Sequence, residues 1–148
     1  MRIGTILTAD VICTSLKGES KEEIIKELLN MLVKANLVLN KEQAFDDLMK
    51  REAKMSTGIQ HGVAIPHAKT TAVKRLVACV GLKKEGLDFD SLDGQKSTIF
   101  IMTLSPIDRV GPHVQFLAEI SKVIRTEEAR KQLLQAKEAQ EVLAVFGL

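Results

Sequence analysis

Two apolar runs in the second half of the chain restrict its fold more than any other feature. Arg75–Leu82 (RLVACVGL) and Ser97–Leu104 (STIFIMTL) contain almost no polar residues. Half-buried strands alternate apolar and polar residues, whereas continuous runs like these are typical of strands buried on both faces. The Asp93-Gly94 pair between them is a turn signal. The chain is therefore predicted to contain a sheet with helices on both sides.

The first half of the chain carries two helix signals. Ser20 and Glu23 form a capping box, and apolar residues recur behind it at helical spacing as far as Asn36. Asn40, with Gln43 in the matching position, predicts the start of a second helix that runs into the low fifties. The apolar stripe of this second helix is formed by Phe45, Leu48 and Met49.

Strand and helix signals alternate in the rest of the chain. Val11–Leu16 is rich in β-branched residues and predicts a first strand, and Gly58–His67 suits strand and turn. Pro112 and Thr126 predict two helix starts, and a last helix is expected from Glu138 to Phe146. With 148 residues, we expect one α/β domain over residues 1–148, a sheet sandwiched between helices.

Composition excludes several classes of function. The net charge of +2 and the absence of a basic run argue against a nucleic-acid surface, and the chain has no Trp or Tyr on which bases could stack. Cys13 and Cys79 lie in apolar runs and are interpreted as small buried side chains. We find no signal peptide and no apolar run near the roughly 20 residues that span a bilayer, so we expect a cytoplasmic protein without membrane insertion.

His67 is the first candidate for chemistry. It follows Pro66 at the predicted end of a strand, where sites form in open α/β sheets. A histidine is a nucleophile only through an unprotonated ring nitrogen, with the other nitrogen held by a hydrogen bond. Backbone carbonyls of the Gly62–Lys69 turn are candidates for that bond. A purely structural histidine is the alternative.

Three further features point to an anion. His113 falls in the first turn of a predicted helix, where free N–H groups and the helix dipole favour negative charge. Arg51, near the end of the second helix, offers a planar fork of donors that suits phosphate oxygens. The hydroxyls of Ser56 and Thr57 either bind the same anion or cap a turn. Each of these residues also has an ordinary structural explanation as a solvated or capping side chain.

A metal site was the competing interpretation. His61, His67 and His113 are three histidines, but His61 and His67 lack the helical i, i+4 spacing and have no clear cysteine or carboxylate partners. Phosphate-binding and dinucleotide-binding glycine motifs and the nucleophile elbow are also missing. We therefore predict no metal and no cofactor.

Two stretches of the chain resemble a known family. REAKMSTGIQHGVAIPHAKT and SPIDRVGPHVQFLAEISKVIRTEEARKQLL resemble the two signature blocks of type-2 IIA proteins of the bacterial phosphoenolpyruvate-dependent phosphotransferase system. The family includes fructose and mannitol IIA domains and nitrogen-regulatory IIA proteins. The resemblance implies a mixed sheet between helices.

The resemblance also implies roles for particular residues. His67 matches the phosphorylated histidine, His113 the second active-site histidine and Arg51 the phosphate-binding arginine. Ser56, Thr57 and His61 would support the phosphate. His61 departs from the family pattern, which more often has Asn or an acid there, so its local charge and pH response are expected to differ.

The function implied is phosphotransfer. A phospho-HPr-type donor would phosphorylate His67, and a IIB domain or a regulatory protein would be the downstream partner. A single-domain chain favours the nitrogen-regulatory type, with a sugar-specific fructose or mannitol IIA component as the alternative. A non-catalytic or metal-binding module on the same fold is a third possibility, which the joint presence of Arg51, His67 and His113 argues against.

Overall fold

The computed structural model describes residues 3–148. Short 3₁₀ turns lie at Ile3–Thr5 and Ala9–Val11. The strands are β1 (Ile12–Cys13), β2 (Val63–Ala64), β3 (His67–Thr70), β4 (Val77–Leu87) and β5 (Ser97–Pro106). The helices are α1 (Lys21–Lys34), α2 (Lys41–Lys54), α3 (Gly111–Ile124), α4 (Glu127–Gln135) and α5 (Ala139–Val145).

The sheet is mixed, as the family resemblance implied. Its order is β1-β4-β5, with β2 and β3 both beside β5. β4 and β5, the two apolar runs of the sequence, form its antiparallel centre, and the remaining pairs are parallel. The predicted α/β sandwich is confirmed.

Both faces of the central strands are covered. The thiol of Cys79 donates to the Leu28 carbonyl in α1, and a Cβ on Gly81 would lie only 2.6 Å from Leu16. These residues face α1, so their neighbours Ala78 and Val80 face the opposite side. All four are fully buried or nearly so, which explains why the strands lack polar alternation.

The predicted helix caps are present. Ser20 Oγ accepts from the Glu23 N–H at 3.1 Å, and Asn40 Oδ1 accepts from the Gln43 N–H at 3.1 Å. Thr126 caps α4 by accepting from the Ala129 N–H. In the capping box, the Glu23 carboxylate accepts from the N–H of Glu19, one residue before the cap. Local hydrogen bonding therefore determines where these helices begin.

Three predicted boundaries were wrong. The strand predicted over Arg75–Leu82 begins at Val77 and continues past an irregularity after Leu82 to Leu87. The strand predicted over Val11–Leu16 is only Ile12–Cys13, because the chain bends away from β4 before the Leu16 N–H returns to the Leu82 carbonyl at 2.8 Å. His67 begins β3 and does not end a strand. The break lies before it, since Pro66 has no N–H to donate to β5.

No helix within residues 3–148 is long and apolar enough to cross a membrane.

Candidate active site

His67 is held at the edge of the sheet by an interrupted strand. β2 and β3 keep the same register on β5, with Ala64 opposite Phe100 and His67 opposite Thr103. Between them the Pro66 carbonyl still accepts from the Thr103 N–H at 3.0 Å, whereas the N–H of Ile65 turns outward to the Thr57 carbonyl at 2.9 Å. The interruption leaves the His67 ring half-buried and accessible.

The His67 ring has a defined tautomer. Its Nδ1 lies 2.8 Å from the Ile65 carbonyl oxygen. A carbonyl can only accept, so Nδ1 carries the proton and Nε2 of the neutral ring keeps a free lone pair. The accepting carbonyl of Ile65 lies within the Gly62–Lys69 turn, where the sequence predicts this hydrogen bond. This arrangement leaves Nε2 as the atom through which the neutral ring can act as a nucleophile.

Arg51 shares a shallow surface pocket with His67. The pocket has a volume of about 370 Å³. It is lined by Asp47, Lys50, Arg51, Lys54, His67, Ala68 and Lys69. Arg51 Nη1 donates to the Met55 carbonyl at 2.8 Å, which orients the guanidinium from the last turn of α2. Because four of these side chains are basic and one is acidic, the pocket favours an anion next to His67.

His113 completes the group of three predicted residues that the structure brings together. It lies in the first turn of α3, and its ring centroid is 5.6 Å from that of His67. Its Nε2 lies 3.0 Å from the hydroxyl of Thr103, which is the residue opposite His67 on β5. Burial, followed by the positive potential of His67 and Lys69, lowers the pKa of His113 below its ordinary 6.5. The ring is therefore neutral at pH 7.

The depressed pKa of His113 predicts a loss of stability in acid. The unfolded chain regains the ordinary pKa and binds the proton more readily than the folded chain. The stability contributed by the neutral ring is thus fully present above about pH 6.5 and is lost as the pH falls below that value. We expect the urea midpoint to fall more between about pH 8 and about pH 5 in the wild type than in His113→Gln. Equal falls in the two proteins would contradict this.

Ser56 and Thr57 have internal partners. Ser56 Oγ donates to the Phe89 carbonyl and accepts from the Gly58 N–H at 3.0 Å, as in a capped turn. The hydroxyl of Thr57 is buried and donates to Glu52 Oε1 at 2.5 Å. Of the two interpretations left open by the sequence, the geometry favours the turn over direct contact with an anion.

His61 lies in a left-handed turn. Its φ is 59°, it is exposed, and its backbone N–H donates to Asp93 at 3.1 Å. It is not among the residues that line the His67 pocket. Among residues 3–148, no three His, Cys, Asp or Glu side chains are grouped as a metal ligand set. The geometry lends no support to a three-histidine centre.

Three residues of the site were not identified from the sequence. Lys69 is two positions after His67 on the same strand face, which was a usable signal. Thr103 is a polar residue inside an apolar run and is 1% exposed. Glu52 continues the Leu48 face of α2 by one turn, so it is a carboxylate at a core position. For Thr103 and Glu52, the signal was a polar residue at a position where the local pattern calls for an apolar one.

Curated relatives match the whole chain. The fructose-specific EIIABC component of Bacillus subtilis is 36% identical over 99% of this chain, which spans 23% of that relative's length. The fructose-specific EIIA component of Haloferax volcanii is 34% identical over 98% of this chain and 94% of its own. A nitrogen regulatory protein of Bradyrhizobium diazoefficiens is 30% identical over 100% of this chain and 96% of its own. The relatives thus include both sugar-specific and nitrogen-regulatory proteins.

Solved structures share the fold. The nitrogen regulatory protein IIA-Ntr of Neisseria meningitidis superposes with a TM-score of 0.89 at 28% identity, covering 97% of this chain and 98% of its own. The IIA mannitol enzyme of Escherichia coli, solved in complex with phosphorylated IIB mannitol, has a TM-score of 0.83 at 21% identity, covering 95% and 96% of the two chains. At that identity, the second match supports the fold alone.

The family model gives the assignment directly. The model for the phosphoenolpyruvate-dependent sugar phosphotransferase system, EIIA 2, matches residues 5–147. That span contains both signature blocks of the sequence and every residue of the site described above. Proteins of this family are phosphotransfer components, which agrees with a histidine beside a basic pocket. The chain belongs to the EIIA type-2 family of the phosphoenolpyruvate-dependent sugar phosphotransferase system.

Proposed function

We propose that this chain is a phosphocarrier that accepts a phosphoryl group on Nε2 of His67 from a phospho-HPr-type donor. The observation that carries the proposal is the Nδ1–H bond to the Ile65 carbonyl, which leaves Nε2 unprotonated beside Arg51. Membership of the family supports the reaction class. The whole matched stretch acts as one EIIA unit.

The transfer is an in-line displacement at phosphorus. The Nε2 lone pair of His67 forms the new N–P bond while the N–P bond to the donor's histidine breaks, and the bonding pair leaves with the donor's imidazole. The phosphorylated ring keeps its Nδ1 proton and gains positive charge, which the Ile65 carbonyl stabilises. Arg51 and Lys69 stabilise the negative charge of the equatorial oxygens. The ring of His113 lies beside that of His67 and stabilises the same phosphoryl oxygens.

Exposed apolar side chains next to the site suit two transient partners. Ile107, Val110 and Val114 are 58%, 45% and 59% exposed and flank His113 along the chain. We propose that donor and acceptor dock in turn on this apolar surface, each through a modest interface. A IIB domain is one such acceptor, as in the mannitol complex among the structural neighbours. A cytoplasmic location is part of this proposal.

Two downstream roles fit this chemistry. A nitrogen-regulatory role, in which the phosphorylated and free forms bind different target proteins, is supported by the similarity to IIA-Ntr. A sugar-specific role, in which phosphate passes to a IIB domain, is supported by the fructose-specific relatives at 36% and 34% identity. The acceptor distinguishes the two roles.

A reconstituted relay tests the proposal. Phosphoenolpyruvate, the first enzyme of the relay and HPr are mixed with the wild-type chain, and the intact mass and acid lability are followed. We expect one acid-labile phosphate, with the ¹⁵N shifts of the His67 ring identifying Nε2 as the linked atom. A fructose IIB domain is then added, and loss of the label to it indicates sugar transport, whereas retention favours regulation. A wild-type chain that takes no phosphate would refute the carrier function.

A further inference from the structure

Glu52 is a buried carboxylate that the transfer chemistry does not use. It follows Arg51 on α2, is 7% exposed, and does not line the His67 pocket. Its Oε2 accepts from the Thr57 backbone N–H at 3.0 Å and from Lys21 Nζ at 3.0 Å, and its Oε1 accepts from the Thr57 hydroxyl at 2.5 Å. Two of these three bonds hold one residue, Thr57.

Thr57 is connected to His67 by two hydrogen bonds through the backbone of Ile65. The Thr57 carbonyl accepts from the Ile65 N–H at 2.9 Å, and the Ile65 carbonyl accepts from His67 Nδ1–H at 2.8 Å. The Ile59 N–H also donates to the Val63 carbonyl at 2.8 Å. The segment from Thr57 to Ile59 therefore runs along the outer edge of β2 and positions Ile65. The carboxylate of Glu52 is the anchor at the beginning of this segment.

The ion pair with Lys21 alone does not explain a carboxylate at this position. Glu52 occupies the apolar face of α2, one turn after Leu48. A buried ion pair contributes little net stability, and a well-packed apolar residue often does as well. Lys21 also does not depend on Glu52, since its Nζ contacts Asp90 at 3.0 Å. What an apolar residue cannot supply is two acceptor oxygens that hold the backbone and hydroxyl of Thr57 together.

We propose that Glu52 is a positioning residue for phosphoryl acceptance. Through Thr57 and Ile65, it holds the carbonyl that keeps the proton on Nδ1 of His67 and Nε2 free. It also holds the chain after α2, where the Met55 carbonyl orients Arg51. The inference rests on the proposed function, in which Nε2 of His67 is the phosphate acceptor.

Glu52→Gln tests this inference against a matched control. Glutamine keeps one acceptor oxygen for the Thr57 N–H, but it carries no charge and presents an NH₂ group to the Thr57 hydroxyl, which must then accept instead of donate, so the bonds to Thr57 are weakened. The control is Glu27→Gln. Glu27 likewise accepts from backbone N–H groups, those of Lys17 and Gly18 at 3.0 and 2.9 Å, before α1 and without a connection to His67. Both variants are expected to lose stability, so an effect of stability alone appears in both.

Two measurements are made on the full chain. The ¹⁵N shifts of the His67 ring above about pH 8 report the tautomer of the neutral ring without any phosphate. The initial rate of phosphorylation at low phospho-HPr reports acceptance. In Glu52→Gln, we expect the Nδ1 and Nε2 shifts of the His67 ring to move toward each other. We expect the rate of phosphorylation to fall about tenfold, a loss typical when a residue that orients a functional group through hydrogen bonds is mutated. In Glu27→Gln, we expect wild-type shifts and a wild-type rate.

Thr57 variants provide the second test. Thr57→Val removes only the hydroxyl and should reproduce the ring shifts of Glu52→Gln, whereas Thr57→Ser should restore most of the rate that Thr57→Val loses. Wild-type ring shifts in both Glu52→Gln and Thr57→Val would overturn the inference. The ring shifts are measured without the relay, so they test the role of Glu52 even if the wild-type chain takes no phosphate. The absence of phosphate on the wild-type chain would separately refute the proposed function.

Discussion

His67→Ala takes up no acid-labile phosphate from phospho-HPr, whereas the wild-type chain takes up one per molecule: this is the largest effect that the structure predicts. Alanine has no lone pair to form the N–P bond, and no other ring lies in the same pocket. His113 does not line that pocket, and its Nε2 is engaged with the Thr103 hydroxyl. Intact mass and the loss of label in acid measure the effect.

Two controls separate chemistry from folding in this experiment. His67 is half-buried on an edge strand, so urea unfolding of His67→Ala should remain cooperative. His113→Ala should behave differently, reaching the wild-type extent of labelling but slowly and donating slowly, because the nucleophile is intact and only its support is lost. Acid-labile phosphate on His67→Ala would overturn the assignment of the nucleophile. Unchanged rates in His113→Ala would remove that residue from the mechanism.

Arg51→Gln should lower the rate of phosphoryl acceptance about a hundredfold. A preorganised cationic donor next to developing charge is worth roughly 10²–10³ in rate. Arg51 is held in place by the Met55 carbonyl, so little reorganisation is needed when phosphate arrives. The other basic residues of the pocket still attract the donor, so the loss should appear in the maximal rate more than in the donor concentration for half-maximal rate. Rapid-quench measurement over a range of phospho-HPr concentrations resolves the two quantities.

Two further variants identify what Arg51 contributes. Arg51→Lys keeps the charge but loses the planar fork, so an intermediate rate indicates that the geometry of the guanidinium matters. Arg125→Gln is the charge-matched control, because Arg125 is exposed and lies at the C-terminal end of α3. The site is at the opposite end of that helix, where His113 lies in the first turn. We expect the control to react like the wild type. Equal losses in Arg51→Gln and Arg125→Gln would mean that net charge, and not the site, controls the rate.

The fold was predictable where local chemistry decides it. Ser20, Asn40 and Thr126 bind the free N–H groups of their own helices, so neighbouring residues contain the necessary information. The apolar runs of β4 and β5 likewise reveal burial on both faces. The shortness of β1 was not predictable, because it depends on how the chain leaves β4 and returns to it at Leu16.

The site was predictable only in part, for a related reason. His67 and Arg51 carry reactive or anion-binding groups, and family resemblance assigned roles to them and to His113. The Thr103 contact with His113 depends on the register of β3 on β5. The path from Glu52 to His67 depends on the Thr57–Ile59 segment lying along β2. Such long-range pairings leave no periodic signature in one sequence, although a carboxylate on the apolar face of α2 was a visible anomaly.

The interruption at Ile65 also has a consequence for strand pairing at the edge of the sheet. The Thr57–Ile59 segment covers β2, whereas β3 lies at the edge of the sheet, and an exposed edge is a template on which a strand of another molecule can pair. At Ile65, the outward N–H is bonded to Thr57 and the carbonyl to the ring of His67. Lys69 adds a charge farther along the same edge. The same bonds that fix the His67 ring therefore leave an incoming strand no free backbone groups at Ile65, which removes one pairing position from the edge that carries His67.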